Sequence, residues 1–357
     1  MKKLSLLLVS LLMITGVTFA QSNKSVVIET GENQTATINQ DGFLNDSYVN
    51  QEARKNTATV EQVNHIAHFN TLSNVIQTGE KNEATVKQNT TNSDLGASYE
   101  GTLKALVVQQ GNGNEALQVQ GPAVTGNLHL GKADAEIIQG GNKNYASQHQ
   151  LSYGNVARIN QGGSNNGAMQ AQDTEILPDD EATMNTATIN QTGSDNEAIQ
   201  LQLGHGNLAN VSQSGWNNNS VQTQAMNSWV SIAEVNQTGS DNTADQYQIG
   251  KLNKANIDQA SNRNTAIQKQ FALITRRAGA IDYTPYNEAS ISQKGGERNW
   301  AEQTQTATVV DVPKNYASII QDGGLNQAYQ TQTGSDNSSI IMQTGNSNLV
   351  NITQTMP

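Results

Sequence analysis

The side chains that could do acid–base, nucleophilic or metal chemistry are few and scattered in this chain. Of the five histidines, only His65 and His68 lie close together in sequence, and no further ligand cluster completes a zinc site. The acidic run at 178–181 could contact a calcium ion, but such a run is more typical of a solvated loop. No Ser-His-Asp or paired-carboxylate arrangement stands out. The sequence therefore predicts no enzyme, no cofactor and no metal site.

Side-chain amides, in contrast, recur at a fixed spacing. Gln191, Gln202, Gln213 and Gln224 stand 11 residues apart, and each interval contains the string Q-x-G-x-x-N-x-[AS]. An amide side chain carries both donors and an acceptor, so amides at equivalent positions of stacked segments can bond to one another along the stack. Hydrogen bonding between repeated amides is the chemistry that this sequence predicts.

The same spacing extends over most of the chain. From Gln40 to Gln354, 25 glutamines define 24 intervals, and 16 of these are 11 residues long, each with an asparagine five residues after its first glutamine. Insertions begin at alternate glutamines only, apart from one extra residue between Gln293 and Gln305. The insertions follow Gln62, Gln88, Gln120, Gln172, Gln224, Gln270 and Gln305. The unit is therefore a coil of 22 residues in two halves, with its loop insertions on one edge.

Alternation within each half-coil predicts a β-strand. In 207–213 (NLANVSQ), asparagine, alanine, valine and glutamine recur at every second residue, which places them on one face of a strand. The Q-x-G-x-x-N string is then the turn, where glycine can adopt a positive φ. Two residues before alternate glutamines the residue is always Ile or Val, and before the others it is mainly Gln. One half-coil thus carries an aliphatic row and the other an amide row.

These patterns predict an all-β fold, a β-solenoid of about 12 two-strand coils with a 22-residue repeat, an 11-residue half-repeat and amyloid-like stacking. At ~4.8 Å per coil, the rod is roughly 60 Å long. Its narrow interior of small and branched residues needs no aromatic core. The predicted structural ladder consists of Gln191, Gln202, Gln213, Gln224, Gln237, Gln248, Gln259 and Gln270, Asn196, Asn207, Asn218, Asn242, Asn253 and Asn264, Gly193, Gly204, Gly215, Gly239 and Gly250, and Ile189, Val211, Val235 and Ile257.

Composition alone would favour disorder, because only 35 % of the residues are hydrophobic and 4 % are aromatic. A fixed period argues against that, since disordered polar tracts have no reason to keep one. Without Lys2 and Lys3 the chain has 18 basic and 31 acidic residues, a net charge of about −13. This charge argues against nucleic acid and anionic lipid as partners.

The first 20 residues have the features of a signal peptide. Lys2 and Lys3 precede an apolar run at 4–12, and Thr18 and Ala20 provide the small residues of a cleavage site. We therefore expect export of the chain from residue 21, and no later segment is long and apolar enough to be a transmembrane span. The predicted organisation is a signal peptide at 1–20, a short N-terminal segment at 21–32, the solenoid at 33–354 and a tail at 355–357. The chain has no cysteine, so disulfides cannot hold an exported fold together.

The repeat resembles the curlin repeat of curli fibre subunits. The resemblance rests on Q-x-G-x-x-N-x-A-x-x-x-Q preceded by N-x-A-x-[IV]-x-Q, as at 155–172 and 185–202, and it covers residues 33 to 354. It implies a secreted protein at the surface of a Gram-negative bacterium that polymerises into extracellular amyloid fibres for biofilm and adhesion. It also implies a curlin-type nucleator or co-subunit and an outer-membrane secretion channel as partners.

Two features depart from a usual curli subunit: the number of repeats is more than twice as large, and loop insertions are present. They leave open a role as bulk subunit, nucleator-like subunit or specialised adhesin. A monomeric solenoid that acts as a surface adhesin or binds a ligand or ice is the alternative. Its sign would be a regular outward row on successive coils, but threonine pairs such as Thr35 and Thr37 recur only sporadically.

Overall fold

The computed structural model describes residues 22–65, 69–90, 101–121, 132–152, 154–173, 184–225, 228–272, 286–307 and 314–356. Within these ranges the regular secondary structure is all β, with 26 strands in two parallel sheets of 13 strands each. Successive strands alternate between the two sheets, so each consecutive pair makes one coil. The predicted all-β solenoid is confirmed.

Sheet A contains the odd-numbered strands. They are β1 (Lys24–Glu32), β3 (Asn45–Arg54), β5 (Phe69–Glu80), β7 (Gly101–Asn112), β9 (Lys132–Asn142), β11 (Val156–Ser164), β13 (Thr186–Ser194), β15 (Leu208–Trp216), β17 (Ile232–Ser240), β19 (Lys254–Gln259), β21 (Tyr286–Gly295), β23 (Lys314–Gly323) and β25 (Ser338–Thr344).

Sheet B contains the even-numbered strands. They are β2 (Thr35–Gly42), β4 (Thr57–Asn64), β6 (Glu83–Asn89), β8 (Glu115–Gln120), β10 (Tyr145–Gln150), β12 (Gly167–Gln172), β14 (Glu197–Gln202), β16 (Asn219–Gln224), β18 (Thr243–Ile249), β20 (Thr265–Ala272), β22 (Trp300–Ala307), β24 (Gln327–Thr333) and β26 (Leu349–Thr355).

Equivalent positions of the repeat lie directly over one another. In sheet A, Gln191 of β13 is in register with Gln213 of β15, and in sheet B, Gln202 of β14 is in register with Gln224 of β16. The side chains that face the space between the sheets are almost inaccessible to water, because the alanines, isoleucines and valines of this core are almost fully buried. Small and branched side chains fill the narrow space between the sheets, which explains why few aromatic residues are needed.

The two edges of the rod differ. The tight edge, defined as the turns from each odd-numbered strand to the next even-numbered strand, contains no insertion longer than one residue. The opposite edge is the insertion edge, and residues 66–68, 91–100, 122–131, 174–183, 226–227, 273–285 and 308–313 of its connections lie outside the described residues. The predicted signal peptide at 1–20 lies outside them as well.

The first strand, β1, falls within residues 21–32, which the sequence pattern places before the solenoid. It pairs in parallel with β3, and this pairing places Val27 opposite Val49 and Glu29 opposite Gln51. The solenoid of the structure therefore begins at Lys24, one half-coil earlier than the pattern indicated, and β1 is the thirteenth strand of sheet A.

The turn that follows β1 differs in sequence from the other turns, so the repeat pattern does not extend to this strand. Elsewhere the turn asparagine donates to the carbonyl four residues earlier, as Asn56 Nδ2 does to Glu52 O at 2.8 Å. In the first turn Gln34 takes this role, and its Nε2 donates to Thr30 O at 2.7 Å. Because Glu29 and Gln34 replace the usual Gln and Asn, the string Q-x-G-x-x-N is absent although the backbone follows the same path.

Candidate functional site

The glutamines of sheet A form a continuous ladder along the rod. Each Nε2 donates to the Oε1 of the next coil at 2.7–2.9 Å. The ladder contains Gln51, Gln77, Gln109, Gln139, Gln161, Gln191, Gln213, Gln237, Gln259, Gln293, Gln321 and Gln343. Every predicted sheet A glutamine stands in this row.

A second ladder runs through sheet B with the same direction. Its donor–acceptor distances are 2.8–3.1 Å. Its members are Gln40, Gln62, Gln88, Gln120, Gln150, Gln172, Gln202, Gln224, Gln248, Gln270, Gln305, Gln332 and Gln354. The remaining predicted glutamines stand here.

A third ladder was not among the predicted site residues. It is the amide row of sheet B, two residues before the second ladder, and its bonds measure 2.8–3.0 Å. It contains Gln118, Gln148, Gln170, Gln200, Gln222, Gln246, Gln268, Gln303 and Gln330. The repeated Q-x-Q at the ends of even-numbered strands was the signal for it.

The glutamines also tie the two sheets together. Gln191 Nε2 donates to Gly167 O of the opposite sheet at 2.9 Å as well as to Gln213 Oε1 at 2.8 Å. Gln200 Nε2 likewise donates to Thr188 O at 3.0 Å. Buried amides are tolerated only when their donors and acceptors are satisfied. The coil spacing and the sheet separation are thus fixed by the same side chains.

The turn asparagines form ladders of their own. On the tight edge, Asn196 N donates to Asn166 Oδ1 at 3.0 Å, and Asn196 Nδ2 contacts Gly215 O of the next coil at 3.2 Å. Each such asparagine therefore holds its own turn and the turn of the next coil. Asn218, Asn242 and Asn264 continue this row on the tight edge, and Asn207 and Asn253 occupy the insertion edge.

The turn glycines are required for close stacking. Gly193 has φ +101, and a Cβ on it would lie 2.0 Å from Gly215 O of the next coil. Gly215, Gly239 and Gly250 also have positive φ. The prediction of a positive φ is wrong for Gly204, which the structure places outside that region. Gly204 is needed because its Cβ would lie 2.0 Å from Ser228 O.

The aliphatic row of sheet A includes the predicted Ile189, Val211, Val235 and Ile257. All four are at most 1 % exposed. They face the interior at the position two residues before each sheet A glutamine, where branched side chains form one hydrophobic cluster with the alanines of sheet B. This row supplies apolar burial beside the amide ladders.

The ladders have a direction, so the two ends of the rod differ chemically. Within the described ranges, the last donors, Gln343 Nε2 and Gln354 Nε2, bond only to carbonyl groups of the end coils. Gln213 Nε2 contacts the equivalent two carbonyls and also Gln237 Oε1. Gln343 therefore has the geometry of an interior ladder residue with one acceptor fewer.

Apolar side chains are exposed at both ends. At the first coil Val27 is 41 % and Ile28 45 % exposed, and at the last coil Ile340 is 56 % and Met342 71 % exposed. The residues of the last coil, 338–356, include no ionisable side chain. An uncharged, β-rich end with exposed apolar residues is an open edge that can pair with another strand.

The candidate metal ligands are spread apart where the structure describes them. His65 Nε2 lies 3.3 Å from the Asp41 carboxylate, while His68, His129 and the acidic run 178–181 fall outside the described residues. Among the residues described, no three His, Cys, Asp or Glu side chains are grouped so as to hold a metal ion.

Burial raises the pKa of Asp173 above its ordinary value of 3.8, and the pKa values of two outward groups on the strands are shifted as well. Burial raises the pKa of Asp245 above its ordinary value of 3.8, and the positive charge of Lys269 partly offsets this rise. Burial also raises the pKa of Tyr286, as do the charge of Glu288 and its hydrogen bond with the phenol. Neither group lies in a cleft with a second reactive side chain among the described residues, so these shifts reflect packing on the sheet surfaces.

A comparison with known families identifies the repeat. The family model of the curlin associated repeat matches residues 31–63, 184–215, 314–345 and 331–355. These segments of the chain are similar to the curlin associated repeat. The matched segments lie toward both ends and in the middle of the solenoid, and the strands between them continue the same sheets. The resemblance seen in the sequence is therefore confirmed. A comparison with curated proteins finds no match.

The curlin repeat family is structural and non-enzymatic. Its solenoid here places the ladder residues in the interior and leaves the end coils as the places where the hydrogen-bond pattern stops. In the part of the chain that the structure describes, no helix is long and apolar enough to cross a membrane.

Proposed function

We propose that this chain is a structural subunit of an extracellular curli-like fibre, which grows by end-to-end stacking of copies. The curlin repeats support this class of function. The observation that carries the mechanism is that both ends of the solenoid have the form of interior coils whose ladders stop. In the described chain, β1 and β2 form one end and β25 and β26 the other, each with a single neighbour in its sheet.

The register of the interior can continue from one copy to the next. Shifting the observed pairing by one coil places Ile341 of one copy over Val27 of a second copy, and Ile352 over Ile38. Met342 then covers Ile28. The neighbouring copy then covers apolar surface that is exposed at the ends of a single copy, and removal of apolar surface from water contributes about 25 cal/mol per Å². Strand addition at an open edge supplies the main-chain hydrogen bonds.

The ladder direction also matches across such a joint. Gln354 Nε2 ends the second ladder as a donor, and Gln40 Oε1 begins it as an acceptor. A head-to-tail stack joins these two groups, whereas a head-to-head stack brings two acceptors together. We therefore infer that the fibre is polar, with every copy oriented alike.

The biological setting that we propose follows from the family and the charge. Residues 1–20 direct export, a curli-type outer-membrane channel releases the chain at the surface of a Gram-negative bacterium, and a curlin-type nucleator or co-subunit provides the first edge. The fibre serves biofilm matrix and cell adhesion. A net charge of about −13 on the exported chain slows uncontrolled stacking, because like-charged copies repel one another.

Seeded growth tests the proposal. Residues 21–357 are diluted from denaturant, thioflavin fluorescence is followed with and without sonicated seeds, and the products are imaged. We expect a lag phase that seeds remove, and unbranched fibres. A stable monomer with a strand-type circular dichroism spectrum would overturn the proposal and would favour the monomeric adhesin or ligand-binding solenoid.

A matched pair of variants locates the growing surface. Ile352→Asp puts a charge on the inward row of the last coil, where stacking would bury it, and we expect elongation to fall by at least tenfold. Leu349→Asp puts the same charge on the outward row, where Glu83 and Glu115 occupy the equivalent positions of other coils. It is expected to elongate at nearly the normal rate. Equal slowing by both variants would show that the inward face of the last coil is not the joint.

A further inference from the structure

The sheet A ladder begins with a carboxylate instead of an amide. Glu29 is in register with Gln51, and Gln51 Oε1 is buried without a hydrogen-bond partner among the described residues. At the next rung Gln77 Oε1 accepts from Gln51 Nε2 at 2.7 Å. An ionised carboxylate has no hydrogen to donate, so the ladder is broken at its first step.

Glu29 is exposed in the single copy. It makes no hydrogen bond or ion pair with the part of the chain that the structure describes. In the head-to-tail stack of the proposed function, on which this inference rests, the same register places Glu29 between Gln51 and Gln343 of a second copy. Interior residues of this row, such as Gln191, are fully buried. Stacking would therefore remove Glu29 from water.

The neutral acid fits that position and the carboxylate does not. A buried carboxylate would face the Gln51 Oε1 acceptor, and burial without sufficient donors strongly disfavours a charge. The protonated acid instead donates its O–H to Gln51 Oε1 and accepts from Gln343 Nε2 of the second copy, as a glutamine would. We propose that each stacking step takes up one proton from solvent at Glu29, so that acidity drives polymerisation.

The groups around Glu29 do not offer another site for this proton. The inward residues of β2 and β3 are Ala36, Ile38, Gln40, Asn45, Ser47, Val49 and Gln51, none of which titrates. The titratable groups of β1, β2 and β3 other than Glu29 point outward or lie at turns, and they are Lys24, Glu32, Asp41, Asp46, Tyr48, Glu52 and Arg54. The last coil of the second copy, 338–356, adds no ionisable side chain.

The test is the concentration of free chain that remains at the plateau of seeded polymerisation, measured between about pH 5 and pH 8. One proton per joint makes this concentration rise by up to tenfold per pH unit where the free carboxylate is ionised. The variant Glu29→Gln completes the ladder without a proton and should lose this dependence. Glu32→Gln is the matched control, because it removes the same charge from the turn end of β1, and it should follow the wild type.

The outcomes separate the two proposals. If neither the wild type nor Glu29→Gln polymerises at any pH, the proposed function fails. If both polymerise with the same pH dependence, the proton is not taken up at Glu29 and this inference is overturned. Urea unfolding of the single copy provides a second readout: wild type and Glu29→Gln should share one pH profile there. A difference in that profile as large as the difference in polymerisation would place proton uptake in folding and would also overturn the inference.

Discussion

A coil in the middle of the rod and a coil at its end have nearly the same sequence and very different surroundings. Gln213 accepts from Gln191 and donates to Gln237, each at 2.8 Å. Gln354 accepts from Gln332 at 2.9 Å, and its one donor contact in the described part of the chain is the carbonyl of Ser338. The same repeat thus holds the chain together in the middle, whereas at the ends it presents unused bonding groups. Mutations at equivalent positions should therefore affect folding in one region and assembly in the other.

The largest difference between the middle and the end of the rod is expected when a charge is placed in a glutamine ladder. Replacing Gln191 and Gln213 together by Lys puts two ammonium groups into fully buried positions, and each unpaired buried charge costs several kcal/mol. We expect the free energy of unfolding to fall by on the order of 5 kcal/mol or more. Urea unfolding followed by circular dichroism measures this loss.

The end-coil control for that variant is Gln354→Lys. Its side chain can reach water at the open end, so we expect a loss below about 1 kcal/mol together with strongly reduced fibre elongation. Similar unfolding losses for the middle and end variants would contradict the comparison.

The turn glycines provide the second contrast. Gly193→Ala would place a Cβ 2.0 Å from Gly215 O, whereas a Cβ on Gly345 meets nothing within 4 Å. Both glycines have positive φ, +101 and +89, so both variants carry backbone strain of about 1–2 kcal/mol. Gly193→Ala adds a steric clash, and we expect a total of about 3 kcal/mol or more.

The measurement for the glycine pair is again the midpoint of urea unfolding. Gly345→Ala should lower the free energy of unfolding only by the backbone strain. It should nevertheless slow elongation, because the next copy would bring a carbonyl toward this Cβ. If Gly345→Ala lowers the stability of the single copy as much as Gly193→Ala does, strain alone explains both losses and the stacking argument for glycine fails.

The smallest effect is expected on the outer faces. Asp245 lies between Val221 and Ile267 on the two flanking strands, and burial raises its pKa above 3.8. A raised pKa in the folded state means that the ionised group opposes folding at neutral pH. Asp245→Asn should therefore raise the free energy of unfolding at pH 7. The gain should be less than about 1 kcal/mol, because water at this partly solvated site screens the charge.

The sign of this effect can be checked with pH. The gain from Asp245→Asn should shrink as the pH falls through the raised pKa and vanish well below 3.8, where the native aspartate is protonated in both states. A gain that persists in acid would show that Asp245 acts through something other than its charge.

The sequence could predict most of this fold because the fold is one coil repeated. Gln, Gly and Asn recur with fixed spacing, and each of these residue types has one physical role that its neighbours in the stack impose. The spacing alone therefore indicates that Gln213 belongs to a glutamine row and Asn218 to an asparagine row. The third ladder was visible as a row in the sequence, although its residues were not assigned a bonding role.

The exceptions are coils in which a different residue performs the same role. Gln34 replaces the turn asparagine after β1, and Glu29 replaces the first ladder glutamine, so spacing alone did not reveal that strand. Gly204 shows the converse. It occupies the glycine position of the repeat, but glycine is required there by the close approach of Ser228 O and not by a positive φ. A pattern of residue types does not distinguish a glycine required by φ from one required by the close approach of the next coil.

The thirteen strands of each sheet have a mechanical consequence for a fibre of stacked copies. Within a copy, coils are linked by covalent backbone as well as by hydrogen bonds, so tension along the axis can separate them only by unwinding the chain. Between copies, no covalent bond crosses the joint. With ~4.8 Å per coil, a joint occurs about every 60 Å. A chain with more coils thus makes a fibre with fewer breaking points per unit length, and its tensile strength is set by the contacts of two end coils.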